Sequence, residues 1–215
     1  MKKPRVLMAD DHSLILAGLR KLVEAECEVV GTVEDGRALV EAAQKLRPDL
    51  ILLDISMPLL NGLEAARQLR TLVPDSKLIF LTMHASPTYA TEAFQLGAAG
   101  YLLKRSAASE LSLAIKSVLQ GQHYLTPSLT KDVLDSVLKP STGERGKAAS
   151  GALTARQREV LQLVAEGRGT KEIATILNVS VKTVEFHKSR IMQQLDIHTT
   201  ADLTKYAITH GITGL

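Results

Sequence analysis

The sequence predicts a doubly wound α/β sheet of five parallel strands followed by a small all-α domain of four helices. Over about the first 120 residues, five short apolar runs alternate with five longer segments of helical periodicity. The alternation stops near Gln120-Gly121, and beyond a polar stretch every remaining segment is helical in pattern. Regular strand–helix alternation implies a parallel sheet with helices on both faces.

Taken in order, the runs at 5–9, 28–33, 50–54, 77–81 and 100–103 are short and rich in Val, Ile and Leu, as strands buried on both faces must be. Between them, about 13–25, 36–46, 62–71, 87–97 and 108–120 carry apolar residues at helical spacing. Ser13 is placed to cap the first helix and Gly97 to close the fourth, while Pro48, Pro58 and Pro74 mark breaks. Pro127 to Leu138 reads as one further short helix. Residues 139–151 hold too little apolar content to fold and read as a linker.

In the last third, Thr154 and Gln157 form a capping box ahead of Val160, Leu161, Leu163 and Val164, and Gly167 closes that helix. Thr170 is placed to cap a short helix through Leu177, Asn178-Val179 make a tight turn, and Ser180 caps a helix to about Leu195. Two helices joined by so short a turn form a helix-turn-helix, whose second member can enter a DNA major groove. The expected division is an α/β domain at 1–121, a short helix and flexible linker at 122–150, and the helical domain at 151–215.

At 215 residues the chain is expected to hold one or two domains. Residues 1–126 balance 14 basic against 14 acidic side chains, whereas 149–215 carry 8 against 6, a small surplus that favours an anionic partner at the C-terminal end. No apolar run approaches the roughly 18 residues of a membrane span, and Met1-Lys2-Lys3-Pro4 lacks a signal-peptide core, so a soluble, cytoplasmic protein without membrane partners is expected. The lone Cys27 has no internal disulfide partner and reads as a small hydrophobe.

The chemistry gathers at the strand ends. Asp10 and Asp11 follow the first strand, Asp54 the third, Thr82 the fourth and Lys104 the fifth. In an open parallel sheet these groups converge at the carboxyl edge, where such folds build their sites. Mg2+ prefers oxygen ligands and is commonly held by one or two carboxylates with phosphate oxygens and water. Crowded carboxylates also call for a cation to offset their repulsion. A carboxylate can attack a phosphoryl group to give an aspartyl phosphate, and Asp54, alone at the end of a central strand, is the better acceptor. Thr82 could then hydrogen-bond a phosphoryl oxygen and Lys104 pair with it.

Winding the helix at 181–195 at about 100° per residue puts Val184, Ile191 and Leu195 on one side, with His187 beside them. Lys182, Phe186, Ser189 and Gln193 fall opposite, flanked by Glu185 and Arg190. On that face Lys182 and Arg190 suit phosphates or guanine, Glu185 suits cytosine and Phe186 a thymine methyl. Thr170 and Lys171, at a helix start, suit phosphate.

Met8-Ala9-Asp10-Asp11-His12, Leu53-Asp54-Ile55-Ser56-Met57-Pro58, Phe80-Leu81-Thr82 and Gly100-Tyr101-Leu102-Leu103-Lys104 resemble the receiver domain of bacterial two-component response regulators, a flavodoxin-like fold. That resemblance implies that Asp54 is the phosphoacceptor and that Asp10, Asp11, Asp54 and the backbone carbonyl of Ser56 hold Mg2+. It makes Thr82 and Lys104 the phosphoryl-binding residues and Tyr101 the switch aromatic. Receivers often have a small residue after the threonine, whereas this chain has Met83 and then His84; a bulky thioether there should hinder attacking water and slow loss of the phosphoryl group. Residues 153–161 and 181–188 resemble the LuxR-type helix-turn-helix domain, so nearly the whole chain is similar to NarL/FixJ-type response regulators.

The second resemblance implies that 181–195 is the recognition helix, with Thr183 and Lys188 joining the DNA-facing residues. It also implies that the last helix, near Ala201 to Ile208, serves DNA-dependent dimerisation. Gln194 stands where the family often has lysine. The implied partners are a sensor histidine kinase or small phosphodonor, double-stranded promoter DNA, RNA polymerase and, once phosphorylated, a second copy of the chain. No enzymatic turnover is implied beyond slow Mg2+-dependent self-dephosphorylation. Two other classes fit less well. Haloacid-dehalogenase-like phosphatases present Asp-x-Asp after the first strand, whereas Asp10 and Asp11 are adjacent. A phosphorylation-independent dimeriser would not need the intact set Asp10, Asp11, Asp54, Thr82 and Lys104.

Overall fold

The computed structural model describes residues 2–138 and 153–213. The chain forms two compact units, Met1–Lys139 and Pro140–Leu215. The linker expected at 139–151 lies outside the described residues.

The first unit alternates strands and helices: β1 Arg5–Ala9, α1 Ser13–Glu24, β2 Glu28–Val33, α2 Gly36–Leu46, β3 Leu50–Leu53, α3 Gly62–Leu72, β4 Lys77–Thr82, α4 Pro87–Gln95, β5 Gly100–Leu103 and α5 Ala107–Leu119. All strands pair in parallel, in the order β2-β1-β3-β4-β5-β6. The sheet has six strands rather than the expected five, because Tyr124–Leu125 forms β6 on the free edge of β5. Two residues are too short to show a periodicity of their own. α6, Pro127–Leu138, then packs Leu129 into the same core as Tyr101, Ala90 and Ala93. The first compact unit thus runs beyond the expected boundary at 121.

Helices cover both faces of the sheet. Leu7, Ile51, Leu53, Phe80 and Tyr101 point to the side of α2, α3 and α4, whereas Val6, Met8, Leu50, Ile79 and Leu102 point to α1 and α5. Successive strand side chains alternate faces, so neighbours such as Leu50 and Ile51 serve opposite cores. Ser13 does not cap α1: His12 holds the cap position, without a side-chain cap bond, and Ser13 is the first helical residue. Gly97 closes the fourth helix at φ +91°, a conformation a side chain would strain.

The second unit contains α7 Ala155–Ala165, α8 Thr170–Ile176, α9 Val181–Leu195 and α10 Thr200–Thr209. The Thr154–Gln157 capping box is present in both directions. Thr170 is not a cap; Gly169 takes that position and donates its N–H to the Glu172 carboxylate at 2.8 Å. Asn178, at φ +51°, turns the chain between α8 and α9, and Ser180 caps α9 by accepting from the Thr183 N–H at 3.1 Å. None of the described helices is long and apolar enough to cross a membrane.

Candidate functional site

β1 and β3 are adjacent and in register, with Ala9 opposite Leu53, so Asp10 and Asp54 leave the sheet edge side by side. The Asp54 N–H donates to the Ala9 carbonyl at 3.0 Å and holds that relation one residue beyond the ladder. The loop after Asp54 is tied back at Gly62, whose N–H donates to the Ile55 carbonyl at 2.8 Å. A Cβ at Gly62 would lie 2.0 Å from the Asp54 carbonyl oxygen, so only glycine lets α3 start this close to the end of β3.

Thr82 ends β4 opposite Leu103 of β5, which brings Lys104 next. Lys104 Nζ lies 2.7 Å from both Asp10 Oδ2 and Asp54 Oδ2, with all three side chains nearly inaccessible to solvent. Asp54 Oδ1 accepts from the Ile55 N–H at 2.6 Å. Burial pushes the Asp54 carboxyl above the usual aspartate range, against the pull of Lys104 and the Thr82 hydroxyl. Burial alone would lower the Lys104 ammonium, but the Asp54 and Asp10 carboxylates outweigh it and hold the lysine above its usual range.

Asp11 joins through an adjacent residue that sequence reading did not assign. His12 Nδ1 lies 2.7 Å from Asp11 Oδ1 and 3.1 Å from Asp10 Oδ1. One ligand atom each from Asp10, Asp11, His12 and Asp54 falls within 4.8 Å of the others. Asp10 and Asp54 share one ammonium, so two buried negative charges face one positive charge. That deficit and the carboxylate donors fit a hard divalent cation. The only sequence signal for His12 was its position beside the aspartate pair.

A second network reaches from this cluster to Tyr101. Ser56 Oγ and His84 Nε2 lie 2.7 Å apart, and the His84 N–H donates to Thr82 Oγ1 at 3.3 Å. The Tyr101 hydroxyl donates to the His84 carbonyl at 2.8 Å, and its ring is fully buried. The His84 ring also packs on Tyr89 of α4, with centroids 4.8 Å apart. Ser56, singled out for its carbonyl, and His84 therefore meet through their side chains. Met83 stands apart from them, 68% exposed.

In the second unit, Val184 and Ile191 of α9 are buried while Lys182, Glu185, Phe186, Ser189 and Arg190 are exposed. Phe186 is 57% exposed, with the Arg190 guanidinium 5.6 Å from its ring centroid. Two further residues read as DNA-facing make side-chain hydrogen bonds within the protein. Thr183 Oγ1 lies 2.8 Å from the capping Ser180 hydroxyl, and Lys188 Nζ donates to Thr200 Oγ1 at 3.0 Å. Gln194 accepts from Gln157 Nε2 at 3.2 Å and so ties α9 to α7. Lys171 is exposed and Thr170 half-buried at the start of α8.

The response regulator receiver domain family matches residues 6–116, and the bacterial regulatory proteins of the luxR family match 151–207. The chain is 37% identical over 212 residues to the transcriptional regulatory protein MctR of Rhizobium johnstonii, covering 98% of this chain and 95% of that one. It is 35% identical over 209 residues to the response regulator UvrY of Escherichia coli, covering 96% and 94%. Among solved structures it is similar to the RcsB response regulator of Salmonella typhimurium, with a TM-score of 0.65 and 29% identity over 100% of both chains. It is also similar to RcsB in an RcsB–DNA complex, with a TM-score of 0.58 and 28% identity over 95% of this chain and 98% of that one. With a receiver at one end, a LuxR-type domain at the other and full-length relatives of the same build, the chain belongs to the NarL/FixJ-type two-component response regulators.

Proposed function

We propose that Asp54 accepts a phosphoryl group from a sensor histidine kinase or a small phosphodonor, and that this charge controls promoter binding by α9. The carrying observation is the Lys104 ammonium shared between Asp10 and Asp54 at 2.7 Å to each. An Asp54 carboxylate oxygen attacks phosphorus, the bond to the donor breaks, and the donor leaves with that electron pair. The Asp54 oxygen that Lys104 contacts becomes part of the acyl phosphate, so the ammonium can turn to a phosphoryl oxygen without leaving the cluster. The Thr82 hydroxyl donates to another phosphoryl oxygen. Asp10, Asp11, Asp54 and the Ser56 backbone carbonyl are the groups that would hold Mg2+, whose chemistry is to offset the negative charge gathered there.

Drawing Thr82 toward the phosphoryl group strains its bond with the His84 N–H, and through the His84 carbonyl it biases Tyr101. The output is binding of double-stranded DNA by the exposed face of α9, with Lys182 and Arg190 on phosphates or guanine and Phe186 against a thymine methyl. Thr170 and Lys171 add phosphate contacts from the start of α8. Phosphorylation favours a homodimer in which two copies of α9 meet a two-fold related site and α10 supplies contacts between the copies. The bound dimer then acts on RNA polymerase at the promoter. Self-dephosphorylation by water is slow and is the only turnover. Acetyl phosphate treatment followed by intact-mass analysis and a promoter-binding titration tests the scheme. Wild type gains one phosphoryl group and binds more tightly, whereas Asp54→Asn does neither; equal tightening in Asp54→Asn would end this reading.

A further inference from the structure

Thr126 is a fully buried polar residue outside the acidic cluster, and its N–H, its carbonyl and its hydroxyl oxygen each hold a hydrogen bond. Its N–H donates to the Tyr101 carbonyl at 3.0 Å, the last backbone bond of the β5–β6 edge. A parallel ladder would continue with the Leu103 N–H bonded to the Thr126 carbonyl. That carbonyl is already taken, because it accepts from the Leu129 N–H at 2.9 Å in the first turn of α6. The Thr126 hydroxyl replaces it and accepts from the Leu103 N–H at 3.1 Å. One side chain thus completes the sheet edge while the same residue's backbone starts a helix, whose first residue, Pro127, needs no N–H partner.

The position of this joint matters. It grips β5 on both sides of Leu102, at the carbonyl of Tyr101 and the N–H of Leu103, and Lys104 follows directly. Any shift of Lys104 or Tyr101 that moves the end of β5 must move Thr126 or break a buried bond. On the far side Thr126 is continuous with α6, which leads the chain toward the DNA-binding unit. α6 has its own hold on the receiver through Leu129 and Val133, which pack into the core with Ala90 and Ala93 of α4, while His123, ahead of β6, sets its ring against Phe94 of α4 with centroids 5.9 Å apart and near-perpendicular planes.

We infer that Thr126 is a positioning residue that carries the state of Lys104 and Tyr101 into α6, so that α6 is the receiver's output helix. The inference rests on the proposed phosphorylation of Asp54. Its test is amide hydrogen exchange on the full chain with Mg2+, before and after acetyl phosphate, with intact mass reporting phosphoryl occupancy. In wild type and in Thr126→Ser, which keeps the hydroxyl, exchange in α6 changes on phosphorylation by roughly threefold or more, the scale of couplings carried by packed elements. In Thr126→Val that change is lost while occupancy at Asp54 is retained. His123→Ala, which removes the ring contact with Phe94 ahead of β6 and leaves Thr126 and its bonds in place, keeps the response and gives a second arm should the valine variant fail to fold. A phosphorylated wild type whose α6 exchange does not change, a Thr126→Val that still responds, or a His123→Ala that does not, would each overturn the inference and leave Asp54 phosphorylation intact. A wild type that takes no phosphoryl group would remove both.

Discussion

Lys104 and Lys182 both have a role in the proposed signal, yet their surroundings are opposite. The Lys104 side chain is 4% exposed between Asp10 and Asp54, whereas Lys182 stands in solvent on α9 with Glu185, Phe186 and Arg190 for neighbours. In the buried cluster each charge is held by its partners, with little water to screen it, so removing one leaves the others uncompensated. On α9 the charges are solvated and screened by salt, and in the proposed complex their energy is realised when phosphates replace water and counterions. A receiver site needs the first arrangement to respond to one added group, and a DNA-binding face needs the second to remain available.

The largest expected break in this contrast is Lys104→Met. Leaving Asp10 and Asp54 buried without their shared cation should cost about 3–5 kcal/mol of stability in the absence of Mg2+, by analogy with broken buried pairs. Chemical denaturation checks it, with Lys182→Ala as the exposed control, expected within about 0.5 kcal/mol of wild type. Equal stability for the two variants would mean that the cluster does not depend on its lysine.

Alkaline pH sharpens the same point. The folded Lys104 ammonium titrates above its unfolded value of about 10.4, so its contribution is fully present below that pH and is lost as pH rises through the folded value. Wild type should lose stability there more steeply than Lys104→Met.

On the DNA side, Arg190→Ala should weaken promoter binding by about 1–3 kcal/mol, and Lys182→Ala should lower the slope of log affinity against log salt by about 1. A promoter titration at several salt concentrations reads both, and an unchanged slope would remove Lys182 from the phosphate contacts. The smallest effect is expected at Met83→Ala. If the exposed thioether shields the acyl phosphate, its removal should speed loss of the phosphoryl group by on the order of a few-fold, less than one general-base contribution. The half-life of the phosphoprotein measures this, and an unaltered half-life would rule the shielding out.

Much of the site was legible in the sequence because parallel strands end at one edge of the sheet. Asp10, Asp54, Thr82 and Lys104 each close an apolar run, and register brings them together without any information about side-chain contacts. The helix face was legible for a similar reason: Val184 and Ile191 set the buried side of α9, and the rest follows from helical periodicity. Partnership within that face was not. Lys188 bonded to Thr200, Thr183 bonded to Ser180 and Gln194 bonded to Gln157 depend on which neighbours the turns bring near. Ser13 and Thr170 are cap-type residues, yet the chain enters each helix one residue earlier than they suggest.

Apolar periodicity and the strand-terminal polar residues therefore determined, from the sequence alone, the alternating α/β order, the helix-turn-helix and the acidic cluster with its lysine, because these depend on local spacing and one topological rule. Tertiary structure alone decided that His84 joins Ser56 to Tyr101, that His12 stands against Asp10 and Asp11, and that Thr126 closes the edge of β5. Those contacts join residues with no shared periodicity. What brings them together is the demand that buried polar groups find partners wherever packing places them.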